Sequence, residues 1–163
     1  MVILGIDPGY AIVGYGVVRY ERTRFTPVRF GAITTPAGAE FTARLEMIYQ
    51  DMTQVIERSR PDALAVEKLY FTTNKTTAID VAQARGVILL TAHQHNVPVY
   101  EYTPLQVKSS VVGYGKAEKS QVMEMTRRLL GLEKVPRPDD TADALAVAIC
   151  HGHSAGSLLT YLK

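Results

Sequence analysis

The stretch VILGIDPG, residues 2–9, decides the fold. Five mostly apolar residues lead to Asp7, and the Pro8-Gly9 pair is a turn signal, so 2–7 reads as a buried strand with a carboxylate at its exit. Downstream, AIVGYGVVRY (11–20) and TPVRFGAITT (26–35) are rich in β-branched and aromatic residues and are separated by the charged ERTR (21–24), which predicts a hairpin continuing from the first strand. From Phe41 the apolar positions Phe41, Leu45, Ile48, Met52, Val55 and Ile56 recur at helical spacing until Pro61 closes the pattern. DALAVEK (62–68) is then a short buried strand carrying Glu67 near its end. A strand reached through a helix lies parallel to an earlier neighbour, which brings Glu67 to the same sheet edge as Asp7.

The remaining elements follow the same logic. TTAIDVAQARGVILLTAHQH (76–95) is a helix whose apolar residues go nearly all round it, so it is buried or forms an interface. VPVYEY (97–102) is a fifth strand, and KSQVMEMTRRLLG (119–131) and DTADALAVAIC (140–150) give two more helices, the first ending at Gly131 and the second preceded by the breaker PRPD. The fold class is α/β, a five-stranded mixed sheet flanked by helices on both faces, within one domain spanning 1–163 whose last few residues form a tail.

Composition agrees with this. A chain of 163 residues with 47% hydrophobic content can bury one substantial core. No apolar run reaches the roughly 18 residues of a membrane span, and the start MVILGIDPG has no basic, cleavable leader, so a cytoplasmic protein without membrane partners is expected. The single cysteine, Cys150, fits a reducing compartment and a structural role. Net charge is only +2, and it is the distribution that informs: Lys108, Lys116, Lys119, Arg127 and Arg128 gather beside the acidic positions as a basic surface.

Four carboxylates need a physical reason. Asp7 follows an apolar strand, where its bland role is an Asx cap on the turn. Glu67 follows the equally apolar ALAV, and its neighbour Lys68 points to the opposite face, so two acids at one edge favour a bound cation. Asp140 and Asp143 stand three apart, about 5–6 Å on one helix face. An N-cap or dipole role accounts for Asp139, but not for Asp143 among Ala142, Ala144, Leu145 and Ala146. Spacing alone leaves Asp139 open as the partner of Asp143. An all-oxygen set suits Mg²⁺ or Mn²⁺ and not zinc, and paired ions about 3.5–4 Å apart clamp both oxygens of a phosphoryl transfer.

The order of elements and these acids resemble the RNase H-like superfamily. Four local blocks resemble the RuvC crossover junction endodeoxyribonuclease family more closely: GIDPGYAIVGYGVV (5–18), AVEKLYFTTNKTTAIDVAQARGV (65–87), VYEYTPLQVKSSVVGYGKAEKSQV (99–122) and DDTADALAVAICHGH (139–153). The resemblance implies a Mg²⁺-dependent homodimer, Mn²⁺ being a plausible substitute and two ions per site expected. Such an enzyme cuts four-way junction DNA by paired nicks during recombination and repair, alongside a branch-migration motor of the RuvA and RuvB type. It maps the catalytic and metal-binding acids onto Asp7, Glu67, Asp140 and Asp143, preferring Asp140 to Asp139. It also assigns DNA contacts to Lys108 and Lys119, near the scissile phosphate, and to Lys116, whose bland reading is a solvated face. Tyr70 and Phe71 become a wedge that stacks on unpaired bases, in a loop bearing Asn74 and Lys75; either ring can be the one that stacks.

Other readings are weaker. The segment GYGKAEKS (113–120) lacks the P-loop spacing. His93, His95, His151 and His153 with Cys150 make a poor zinc set and read as surface residues, with phosphate contacts open to the last two. The helix 76–95 is the dimer candidate. An actin-like ATPase needs two lobes and a second phosphate loop, an RNA nuclease of the same fold differs in substrate, and a non-catalytic junction binder gains nothing from four acids.

Overall fold

The computed structural model describes residues 1–69 and 75–161. Strands β1 (Val2–Asp7), β2 (Ile12–Glu21) and β3 (Arg24–Thr34) form an antiparallel meander, and β4 (Ala63–Glu67) and β5 (Val99–Tyr102) extend it on the other side. The sheet order is β3-β2-β1-β4-β5, with β1, β4 and β5 mutually parallel. Helix α1 (Phe41–Ser59) and helix α2 (Lys75–Gln94) cover one face; α3 (Pro104–Val112), α4 (Lys119–Leu129) and α5 (Asp139–Tyr161) cover the other. The mixed, two-faced sheet expected from the sequence is what forms, and among the described residues no helix is long and apolar enough to cross a membrane.

Strand alternation sorts the core into two layers. Leu4, Ile6, Leu64 and Val66 pack with Ile48, Met52 and Ile88 of α1 and α2, whereas Ile3 and Ala65 pack with Leu145 and Ile149 of α5. Side chains two apart share a face. Asp7 therefore projects on the side of Ile3 and Gly5, and Glu67 on the side of Ala65, both toward α5. Helix α5 lies unusually close there: a Cβ on Gly5 would stand 2.0 Å from the Ala144 carbonyl oxygen, and one on Gly14 would stand 2.0 Å from that of Asp140. Glycine on the sheet and alanine on the helix let the two backbones touch.

Several expectations are corrected. Three helices, not two, follow β5, because PLQVKSSVV forms α3 despite its β-branched residues. Thr103 and Gln106 make a reciprocal capping box, Pro104 sits in the first turn, and Gly113 closes the helix at φ 96°. Lys75 opens α2 rather than lying in a loop. Asp139 is the first residue of α5, paired with Arg137 and Lys119, and not a cap ahead of it. His151 is 4% exposed and bonded to Tyr102, so it is no surface residue. Tyr70, Phe71 and Asn74 lie outside the described residues, as do the final two residues of the expected tail; α5 itself continues to Tyr161.

Candidate active site

At the carboxyl ends of β1 and β4, a cleft of about 250 Å³ opens between the sheet and α3, α4 and α5. Asp7, Glu67 and Asp143 line it together with Lys108 and Lys119. Such crevices at the ends of parallel strands are the usual binding place in open α/β sheets. The apolar part of the wall, Pro104, Val107, Val122 and Ala146, does not stand out in the sequence, since nothing distinguishes these from ordinary core positions until α3 is placed.

The electrostatics report a site short of positive charge. Asp7 is pushed up to about 8, first by burial and then by the neighbouring Asp143, Asp140 and Glu67, with Lys119 partly offsetting. Burial and Asp143 also raise Glu67, against Lys108 and Lys119. Lys119 Nζ donates to Asp143 Oδ2 at 2.9 Å and lies 3.7 Å from Asp139 Oδ2, and the Asp143 bond raises its own pKa above that of a free lysine. Asp140 stands beside this group, near enough to act on Asp7 but outside the cleft lining. Lys116 is exposed and also outside it.

Among the described residues no three His, Cys, Asp or Glu side chains are gathered into a coordination shell as they stand. The donor set nonetheless fits a hard divalent cation. It is all oxygen, and it holds in Asp7 a carboxyl pushed up to about 8 by burial and by the neighbouring acids, both of which a bound cation would offset. Lys119 supplies part of that charge.

Residues 3–151 match the family model for crossover junction endodeoxyribonuclease RuvC. The chain belongs to the RuvC family. One family member, from Alkaliphilus oremlandii, is 55% identical over 154 residues, covering 94% of each chain. The Thermus thermophilus RuvC structure superimposes with a TM-score of 0.90 at 38% identity over 96% of both chains. The same enzyme in complex with a Holliday junction substrate gives 0.89 at 35% identity over the same share. Family membership carries the RNase H-like fold and the endodeoxyribonuclease class with it.

Proposed function

We propose that this chain resolves four-way DNA junctions in the cytoplasm by metal-dependent hydrolysis of two symmetric phosphodiester bonds. The observation that carries the reading is the convergence of Asp7, Glu67 and Asp143 with Lys108 and Lys119 in one open cleft. Asp7, Glu67 and Asp143, with Asp140 alongside, would hold the Mg²⁺ or Mn²⁺ ions, two per site. When bound, such ions polarise the phosphate, acidify a water and stabilise the attacking and leaving oxygens. Lys108 and Lys119 meet the substrate as the balancing charge: a phosphate entering the cleft gives Lys119 a third anionic partner beside Asp143 and Asp139, and Lys108, which already offsets Glu67, adds positive charge facing the phosphate. The apolar wall beside them limits water on that side.

Two cuts require two sites, which we assign to a homodimer joined through α2, with the junction delivered by a branch-migration motor of the RuvA and RuvB type. In α2, Ile79 is 66% and Leu90 54% exposed, an arrangement that costs solvation unless a partner covers it. The double variant Ile79→Asp/Leu90→Glu is expected to run at 18.0 kDa in light scattering, against twice that mass for the wild type. A wild type that is monomeric at micromolar concentration would remove the dimer from the scheme. Tyr70, Phe71, Asn74 and Lys75, together with Lys116, are assigned to junction contacts.

Incubation with Mg²⁺ and end-labelled junction, linear duplex or RNA tests the function. Paired nicks in strands of like polarity, in the junction alone, are expected. Preferred cleavage of RNA, or tight junction binding with no cleavage in either Mg²⁺ or Mn²⁺, contradicts the proposal.

A further inference from the structure

Lys108 reaches the cleft from α3, a helix of only nine residues with two buried side chains, Val107 and Val111. Apolar contacts of that kind hold a helix down but do not fix its rotation or its slide, because burial is non-directional. Hydrogen bonds are directional, and they tie α5 both to the end of β5, from which α3 starts, and to α3 itself. Tyr102, the residue before the Thr103 cap, shares a 2.7 Å bond between its hydroxyl and His151 Nδ1. Toward the other end, His153 Nδ1 lies 3.1 Å from both the hydroxyl and the carbonyl oxygen of Ser110. His151 is buried, packs against the ring of Tyr100 in a tilted arrangement at 4.5 Å between centroids, and sits two turns beyond Asp143 on one row of α5. The helix that carries a cleft carboxylate thus also holds the strand end from which the lysine's helix starts and, near its far end, that helix itself.

We propose that Tyr102 and His151, helped at the surface by Ser110 and His153, are positioning residues for Lys108, fixing the rotation and height of α3 against α5. The Lys108 ammonium is thereby held at its working distance from Asp7, Glu67 and Asp143. Glu67 does not depend on this tie, since the β4 end is held by the main chain, Lys68 N–H donating to the Tyr102 carbonyl at 2.7 Å. Burial pushes the His151 imidazole down and the Tyr102 phenol up, both toward the uncharged form. The inference rests on the cleft being the hydrolytic site.

The experiment is a double-variant cycle on labelled four-way junction at saturating Mg²⁺, each rate read well below that variant's thermal midpoint. Tyr102→Phe is expected to lower kcat about tenfold, short of the roughly 10²-fold of a full 1 Å misplacement, with KM within twofold. In a Lys108→Ala background the same change is expected to cost less than twofold. His151→Asn, which keeps a polar partner for the phenol, loses less than threefold, whereas His151→Phe matches Tyr102→Phe. Equal losses with and without Lys108, a loss confined to KM, or no loss at all overturns the positioning role. A wild type that leaves the junction uncut overturns the hydrolytic reading itself, and the two failures are distinct.

Discussion

Asp7→Asn is expected to bind a four-way junction with undiminished affinity and to cleave it at least about a thousandfold more slowly, beyond the 10²–10³ cost of removing one donor to a transition-state charge. Asparagine keeps the shape at the end of β1 but offers a single neutral oxygen where the carboxylate offers two charged ones. Removing a negative charge from beneath the approaching phosphate does not weaken binding, so the loss falls on kcat. The same substitution should stabilise the metal-free protein. Asp7 has a folded-state value of about 8 against an ordinary 3.8, so between these limits the folded chain keeps a proton that the unfolded chain has released. Stability contributed at acid pH is therefore lost as pH rises from about 4 to about 8. The amide of the variant does not titrate. Thermal unfolding in chelator across pH 5–9 is expected to show the variant ahead of wild type by a margin that grows to several degrees by pH 8 and above. Added Mg²⁺ then raises the wild type and not the variant. A margin that is flat with pH would refute the electrostatic account of the cluster, and a variant that still cuts would refute the catalytic one.

Gly5→Ala is expected to cost about 3 kcal/mol, the upper end of overpacking effects, which lowers the midpoint of a chain this size by roughly 10 °C. The added methyl would stand 2.0 Å from the Ala144 carbonyl oxygen, 2.8 Å from the Ala148 nitrogen and 2.9 Å from the Ala148 Cβ. None of these is the free end of a flexible side chain. Helix α5 must lift off β1, opening the layer that holds Ile3, Leu145 and Ile149. Asp143 moves with it, and Asp7 does not. A shift near 1 Å at a reacting centre costs about 10²-fold, so cleavage well below the midpoint falls as well. Gly38→Ala, where nothing lies within 4 Å of the new methyl, should change neither property. Parity between the two variants in unfolding midpoints would show that the close packing tolerates the methyl.

The sheet is legible in the sequence because its strands are apolar runs ending in breakers, and Asp7 and Glu67 stand out as carboxylates at the exits of such runs. The face they share follows from strand alternation. Helix α3 is not legible by periodicity: three valines in nine residues speak for a strand, and only Thr103, Pro104 and Gln106 at its start signal a helix. The burial of His151 escapes a local reading because it depends on β5, packed along the face of α5, and its partner Tyr102 is 49 residues off in sequence. The place of Asp139 after Pro138 suggests a cap, whereas its side chain turns to Arg137 and Lys119. Local signals locate the acids; the pairing of acid with lysine is a tertiary property that no local pattern encodes.

The chain order of the cleft residues has a consequence during synthesis. Asp7 emerges first, Glu67 second, and Asp140 and Asp143 only with α5, the element that also covers β1 and β2. A nascent chain or a product of premature termination before residue 139 has only two of the acids, on a sheet that lacks the α5 cover over β1 and β2. It has no means of gathering the full carboxylate set. On the proposed reading, translation must pass through α5 before the cleft's carboxylate set is complete.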